Sequence, residues 1–265
     1  METVQANGIE LAYEEHGAGD ETLVLVNGLA DAKESWEAQV PAFAERYRVV
    51  AFDNRGVGGS SVPPGPYTTR QMADDLHGLV EALGLDRFHL LGTSMGGMIA
   101  QEYAIAHADR LRSAAFCNTY AAPGPFCLRM FACWRDAVPD LGVGFTQRDV
   151  VLWAFTTDFF EQREDELREI EQYMASNPMP ADPYLAQLSA IETHDTRGRL
   201  GAVGCPVLTL AGEQDLIIYP ALSRRLHEEL PQSTWAEVRG GHACLWEYPD
   251  SFNRTVLDFL AGVQR

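Results

Sequence analysis

The sequence predicts an α/β fold in which helices cover both faces of a mostly parallel sheet, with a helical segment inserted near the middle of the chain. Short apolar runs of strand length recur along the chain, and segments with helical spacing lie between them. Residues 124–199 interrupt this alternation. Alternating strands and helices produce right-handed crossovers, which make neighbouring strands parallel.

Five segments have the continuous apolar character of strands that are buried on both faces. They cover residues 22–26, 47–53, 88–92, 111–118 and 206–212. Residues 9–15 instead alternate between apolar and polar, and Asn7-Gly8 before them is a hairpin turn signal. We therefore expect an antiparallel pair at the start of the chain, with a further strand at WAEVR, residues 235–239.

Helical spacing of apolar residues marks the segments between the strands. These predicted helices cover residues 35–45, 69–83, 95–107, 220–230 and 250–261. Residues 124–199 carry helical patterns and many aromatic residues but no convincing strand. The sequence therefore predicts a core domain made of residues 1–123 and 200–265, with residues 124–199 inserted as a helical cap.

Composition and charge restrict the partners that this chain can have. Its 265 residues are 46% hydrophobic and 22% charged, which is typical of a globular domain. A formal net charge of −18 repels phosphate backbones and anionic lipid headgroups. We therefore expect a small organic molecule as the partner, and neither nucleic acid nor a membrane.

The cysteines and the first residues bear on cofactors and location. Five cysteines without CxxC spacing argue against a metal site and against a full disulfide framework. The first residues lack a basic segment followed by an apolar run, and no apolar stretch reaches membrane-spanning length. We therefore expect a cytoplasmic protein with free thiols. A homodimer is compatible with the sequence, which does not define the oligomeric state.

The segment Gly92-Thr93-Ser94-Met95-Gly96 matches the G-x-S-x-G pattern of a nucleophile elbow. A buried strand precedes it and an apolar helix follows it, as such an elbow requires. Serine must project from a sharp turn to reach a base, and glycines on both sides allow the backbone to approach closely. This context predicts Ser94 as the nucleophile. The alternative is a glycine-rich turn that happens to contain serine.

Ser94 needs a base, and the base needs a carboxylate that orients it. His242 follows Gly240-Gly241 in a loop after the strand at 235–239, whereas the other histidines lie in helical patterns, in a strand or without a suitable context. Asp215 lies in the turn after the strand at 206–212. Glu213 is its rival, although its side chain is longer and closer to the strand end.

Two backbone amides are expected to bind the developing oxyanion. One belongs to Met95, directly after the nucleophile. The other belongs to Leu29, in the turn Val26-Asn27-Gly28-Leu29. Considered alone, Asn27-Gly28 is more typical of a plain turn, and only the predicted triad elsewhere favours the oxyanion role.

With these motifs in place, the chain resembles the α/β-hydrolase superfamily over essentially its full length. The resemblance is carried by LVNGLADAKESW at 25–36, FDNRGVGGS at 52–60, GTSMGG at 92–97, GEQD at 212–215 and GGHACLWEYP at 240–249. It implies an eight-stranded sheet with a cap inserted after the sixth strand. Within the superfamily the chain is similar to the 3-oxoadipate enol-lactonase and small carboxylesterase branch, through DNRGVGGS, LGTSMGG and FCNT at 116–119.

One position departs from the family pattern, because the early turn that usually contains His-Gly contains Asn27-Gly28 here. The side-chain contacts behind the oxyanion hole are therefore in question. We expect Asn27 to contact the substrate, together with Trp134, Trp153 and Phe155 of the predicted cap. An aromatic stripe on such helices is more often internal packing.

The expected function is hydrolysis of a carboxylic ester or lactone of a small to medium, hydrophobic molecule through an acyl-enzyme on Ser94. This chemistry needs neither a metal nor a cofactor. The nearest alternative is C–C bond hydrolysis of a diketone-type acid, as in meta-cleavage product hydrolases, and an acid substrate would favour an arginine near Ser94. A further alternative, from another class, is a ligand receptor that keeps the triad and signals through its cap.

Overall fold

The computed structural model describes residues 2–176 and 179–263, and it contains one eight-stranded sheet of order β1-β2-β4-β3-β5-β6-β7-β8. The antiparallel pairs are β1–β2 and β2–β4, and the other neighbours are parallel. The strands are β1 Glu2–Ala6, β2 Ile9–His16, β3 Thr22–Val26, β4 Arg48–Phe52, β5 Phe88–Thr93, β6 Leu111–Cys117, β7 Val207–Gly212 and β8 Ser233–Val238. The predicted mostly parallel sheet is confirmed.

Helices connect the strands and fill the segment between β6 and β7. Their bounds are α1 Val40–Ala44, α2 Thr69–Ala82, α3 Met95–Ala106, α4 Pro125–Leu141, α5 Val143–Ala154, α6 Thr157–Gln162, α7 Glu164–Ser176, α8 Ala181–Thr193, α9 Pro220–Glu229, α10 Cys244–Glu247 and α11 Pro249–Gly262. Within the described part of the chain, no helix has both the length and the apolar character needed to cross a membrane.

The hairpin at the start of the chain forms at Asn7-Gly8. Both turn residues have positive φ, 49° for Asn7 and 79° for Gly8, and the turn joins Ala6 to its partner Ile9. Asparagine and glycine tolerate these angles better than other residues, which is why this dipeptide favours a two-residue hairpin. The turn therefore sets the β1–β2 register.

The central strands are buried on both faces, as their continuous apolar sequences require. Successive side chains of a strand point to opposite faces. Val24 accordingly belongs to the apolar cluster on one side of the sheet, whereas Leu23 and Leu25 belong to the cluster on the other side. Two apolar layers thus hold the sheet between the helices and fix the positions of the strand ends.

The predicted helix over residues 35–45 is wrong in extent. A 3-10 turn at Lys33–Trp36 and the short helix α1 occupy this region instead. Pro41 has no backbone N–H to donate to the carbonyl four residues earlier, so the helical hydrogen bonds are interrupted between the two pieces. Tertiary contacts hold the break, because Trp36 is buried and Gln39 Nε2 donates a 2.7 Å hydrogen bond to the Leu245 carbonyl.

We call α4 to α8 the cap helices. They follow β6 directly, and the described residues between β6 and β7 form no strand. Helix α4 packs against both α5 and α8, while α8 also contacts α3 of the sheet layer. The division of the chain into residues 124–199 and a two-part core stays a prediction, although the cap helices fall inside that range.

His194 lies directly after the last cap helix and is buried against the sheet layer. Its exposed fraction is 2%, and Nδ1 lies 2.9 Å from Thr69 Oγ1. Burial disfavours the charged imidazolium and lowers the pKa of His194 to about 3, with a smaller contribution from Arg199. This histidine is therefore a neutral structural residue rather than a candidate base.

We predict that replacing His194 by Asn makes stability less sensitive to acid. Between pH 6.5 and 3 the unfolded chain protonates His194 and the folded chain does not, so the wild-type free energy of unfolding decreases as pH falls. One such group contributes a slope of about 1.4 kcal/mol per pH unit. Between pH 6.0 and 4.5, the free energy of unfolding measured with urea should fall by about 1.4 kcal/mol per pH unit more in the wild type than in the variant, and parallel pH profiles for the two proteins would contradict the assignment.

Candidate active site

Ser94 occupies a sharp turn between β5 and α3. Its backbone has φ 55° and ψ −120°, a conformation that costs free energy for a residue with a Cβ atom. Ser94 N donates a 2.9 Å hydrogen bond to the Cys117 carbonyl, and Thr119 Oγ1 donates one of 2.9 Å to the Ser94 carbonyl. The end of β6 therefore holds the strained turn in place.

The glycines around Ser94 are required by close backbone contacts. A Cβ atom on Gly92 would overlap the carbonyl of Gly96, and one on Gly96 would overlap the carbonyl of Val26 at the end of β3. Gly97 packs against Thr119, where a Cβ atom would lie 2.8 Å from the threonine side chain. The G-x-S-x-G-G sequence thus reflects the approach of α3 to three strands.

We predict that Gly96→Ala destabilises the fold by about 3 kcal/mol or more, because the added methyl group meets backbone that cannot move without separating β3 from α3. Gly144→Ala is the matched control. It adds the same group to α5, where nothing lies within 4 Å, and should stabilise the helix by about 0.5–1 kcal/mol. Thermal unfolding measures both effects, and equal stability of the two variants would contradict this account.

His242 lies in the loop after β8, next to Asp215 at the end of β7. His242 Nδ1 lies 2.8 Å from Asp215 Oδ2. The other carboxylate oxygen accepts hydrogen bonds from the amides of Ile217 and Ile218, at 2.9 and 2.8 Å. Asp215 is 1% exposed, whereas Glu213 is exposed to solvent. The carboxylate that contacts His242 is therefore that of Asp215.

Asn118 connects the strand ends around His242, a role that the sequence did not reveal. Its Nδ2 donates a 3.0 Å hydrogen bond to the His242 carbonyl, and its Oδ1 accepts one of 2.9 Å from Gly212 N. Asn118 has φ 48°, a left-handed angle that asparagine tolerates. The motif FCNT contains this residue, but only the structure shows its partners.

Glu247 connects the histidine loop to the cap helices. Its carboxylate accepts a 2.7 Å hydrogen bond from Gly241 N and one of 2.6 Å from Thr156 Oγ1. Glu247 is 3% exposed, so these bonds form away from bulk water, where an unpaired carboxylate would be costly. The loop before His242 and the start of α6 are thus held by one side chain.

The turn after β3 lies beside Ser94. A Cβ atom added to Gly28 would lie 3.4 Å from Ser94 Cβ. The next residue, Leu29, lines the same cavity as Ser94. Met95 begins α3, so its amide has no acceptor within the helix. The structure therefore places both predicted oxyanion donors, Leu29 and Met95, next to Ser94.

Asn27 lies behind this turn rather than in the cavity. It is 1% exposed, its Oδ1 accepts a hydrogen bond from Trp36 Nε1, and its Nδ2 donates one of 3.2 Å to the Asp31 carbonyl. These bonds close the turn from inside the protein. The structure thus gives Asn27 a structural position, not the substrate contact that we expected.

A cap helix also holds the turn. Gln187 of α8 accepts a 2.9 Å hydrogen bond from Ala30 N and donates one of 2.8 Å to the Arg55 carbonyl. Ala30 has φ 64°, an angle that a residue with a Cβ atom adopts at a cost of about 1–2 kcal/mol. Gln187 is therefore a second connection between cap and sheet that the sequence did not indicate.

Ser94 and His242 line one cavity between the sheet and the cap helices. The space within it, together with solvent at its open mouth, is about 810 Å³. Trp134 and Phe155 line it, as expected. Trp153 does not: it is 36% exposed and its Nε1 donates a 3.2 Å hydrogen bond to Asp149 on the outside of the cap.

Three polar residues in the cavity wall were missed by the sequence analysis: Asp31, Gln147 and Tyr184. Gln147 Oε1 and the Tyr184 hydroxyl are buried, and neither has a hydrogen-bond partner among the described residues. Burial raises the pKa of Tyr184, so the phenol stays neutral. Desolvation raises the pKa of Asp31 to about 7, although the charge of His242 opposes the shift.

The comparisons with known proteins agree with this fold. The family model for the α/β hydrolase fold matches residues 21–249, and the chain therefore belongs to that family. Membership of this family supports hydrolysis as the general type of reaction.

Individual relatives span nearly the whole chain. A Caulobacter segnis protein with the provisional name carbamate hydrolase RutD is 31% identical, with 99% of this chain and 100% of the relative covered. The enol-lactonase from Burkholderia xenovorans superposes with a TM-score of 0.91 and is 31% identical, covering 98% of this chain and 100% of its own. A thermophilic esterase from Thermogutta terrifontis, 29% identical, superposes with a TM-score of 0.90 and full coverage of both chains.

Proposed function

We propose that this chain is a serine hydrolase that cleaves a carboxylic ester or lactone of an uncharged, mainly apolar molecule through an acyl-enzyme on Ser94. The observation that carries the proposal is that Ser94 and His242 line one apolar cavity while Asp215 is bonded to His242 Nδ1. The names of an esterase and an enol-lactonase among the similar structures favour the same bond types.

The proposed reaction has two steps. With Nδ1 bonded to Asp215, His242 takes the Ser94 proton on Nε2 as the hydroxyl attacks the substrate carbonyl. The Leu29 and Met95 amides stabilise the oxyanion. The C–O bond then breaks, and His242 gives its proton to the departing alkoxide. Water, deprotonated by His242, attacks the acyl-enzyme, which releases the acid and restores Ser94.

The alternative of C–C bond hydrolysis of an acid has less support from the cavity. None of the described residues that line it is an arginine or a lysine. Arg55, on the sheet side, is paired with Asp75, and Arg135 of α4 is paired with Glu192. A carboxylate substrate would therefore enter the cavity without a counter-ion.

A receptor function would also use this pocket but would not release product repeatedly. We predict that the wild type hydrolyses p-nitrophenyl butyrate with many turnovers and that Ser94→Ala abolishes both this activity and labelling by a fluorophosphonate, because the nucleophile is lost. Intact-mass measurement of the labelled protein and steady-state kinetics give the two readouts.

Ser251→Ala, which removes a serine hydroxyl from α11, is the control and should retain both activity and labelling. Stoichiometric nitrophenol release without further turnover would support the receptor. Unchanged turnover in Ser94→Ala would overturn the proposed function.

The orienting carboxylate gives a separate test. Asp215→Asn should lower kcat by about 10³- to 10⁴-fold with a smaller change in KM, because the amide favours the wrong histidine tautomer. Glu213→Gln removes an exposed carboxylate two residues away and should leave kcat within about twofold of the wild type. A large loss of kcat in Glu213→Gln, with little change in Asp215→Asn, would instead show that Glu213 orients His242.

A further inference from the structure

We propose that Asp31 is a specificity-determining residue whose carboxylate excludes substrates with a negatively charged acyl group from the cavity around Ser94. This inference rests on the proposed function and extends it to a substrate class. The residue comes from the turn after β3, which also supplies the Leu29 amide. It therefore lies close to the position that the carbonyl of an ester bound at Ser94 would occupy.

The position of the carboxylate carries the proposal. Asp31 Oδ2 is 2.8 Å from where a Cβ atom on Gly28 would lie, and that same point is 3.4 Å from Ser94 Cβ. Asp31 lines the cavity together with Ser94 and His242. A substrate bound with its carbonyl at Ser94 is therefore within a few ångströms of this carboxylate.

Among the described residues of the wall, none is a lysine or an arginine that could pair with this carboxylate. His242 is the ionisable group that acts on the Asp31 carboxylate, and its Nδ1 is already bonded to Asp215. Lys33, two residues further along the chain, is paired with Glu34 and Asp53.

The other elements that face the cavity supply only neutral polar groups. These are Gln147 of α5 and Tyr184 of α8, and no described residue in the wall is a lysine or an arginine. A substrate carboxylate bound about 4–8 Å from Asp31 in this partly desolvated cavity would be repelled strongly enough to weaken binding tenfold or more, on the order of 1.4 kcal/mol.

Asp31 would act as this selector only when it is ionised. Desolvation raises its pKa to about 7, so the carboxylate forms as pH increases through neutrality. Discrimination against an anionic ester should therefore be weak below pH 6 and strong above pH 8. An uncharged ester of the same length should not be affected by this ionisation.

The test compares p-nitrophenyl hydrogen adipate with p-nitrophenyl hexanoate, which have acyl chains of the same length with and without a carboxylate. The readout is the ratio of kcat/KM for the two esters between pH 5.5 and 8.5, because changes in His242 protonation affect both esters and cancel. In the wild type we expect the adipate-to-hexanoate ratio to fall about tenfold or more as pH rises.

Asp31→Asn and Asp31→Ser should remove this fall, so that the adipate-to-hexanoate ratio of kcat/KM at pH 8.5 rises about tenfold above the wild-type ratio, mainly through a lower KM for the adipate ester. Asp20→Asn, which removes an exposed carboxylate, is the control for net charge and should behave like the wild type. A pH-dependent ratio in Asp31→Asn, or an equal effect on both esters, would overturn the proposal.

A wild type without esterase activity would contradict the proposed function, but the proposal for Asp31 could still be tested by binding. If the wild type hydrolyses neither ester, the same comparison is made by binding, with quenching of tryptophan fluorescence by adipate and by hexanamide. Trp134 and Trp246 line the cavity and report occupancy. Tighter adipate binding in Asp31→Asn than in the wild type at pH 8.5 would still support the selector, and equal binding would reject it.

Discussion

The contact between Gly96 and the end of β3 is the constraint on which the rest of the site depends. A Cβ atom on Gly96 would overlap the Val26 carbonyl, so α3 lies as close to β3 as two backbones can. This approach brings the turn at 27–31 beside Ser94 and sets the distance between Ser94 and Leu29. The left-handed conformation of Ser94, φ 55°, is stable because packing on both sides leaves it no relaxed alternative.

The other half of the site depends on hydrogen bonds between loops. Asn118 joins the ends of β6 and β7 to the His242 carbonyl, and Glu247 joins the histidine loop to Thr156 at the start of α6. Buried polar bonds of this kind are costly to break singly, because each leaves an unpaired group. The position of His242 is therefore coupled to the cap helices, and movement of the cap would displace His242 as well as change the cavity.

Local patterns in the sequence predicted the parts of the molecule that depend on local geometry. The buried strands, the Asn7-Gly8 hairpin and the elbow around Ser94 all follow from short-range rules. Residues 35–45 did not form one helix, because Pro41 and contacts from distant segments override helical spacing there. The sequence analysis missed three polar residues of the cavity wall, Asp31, Gln147 and Tyr184, for a related reason. Whether a polar residue faces a cavity depends on packing between distant segments, and no periodicity in the sequence indicates that packing.

Substrate preference can therefore vary while the reaction centre stays the same. The elbow and the Asp215–His242 pair are built by the sheet, and any member of the family with this architecture can position them. Other parts of the chain complete the cavity wall, among them the turn at 27–31, which contributes a carboxylate, and the cap helices, which contribute Gln147 and Tyr184. An ionised Asp31 in this mainly apolar cavity repels an anionic substrate and does not repel an uncharged one, so under our proposal this one residue of the turn sets the selectivity for charge, which the aromatic residues around it do not control.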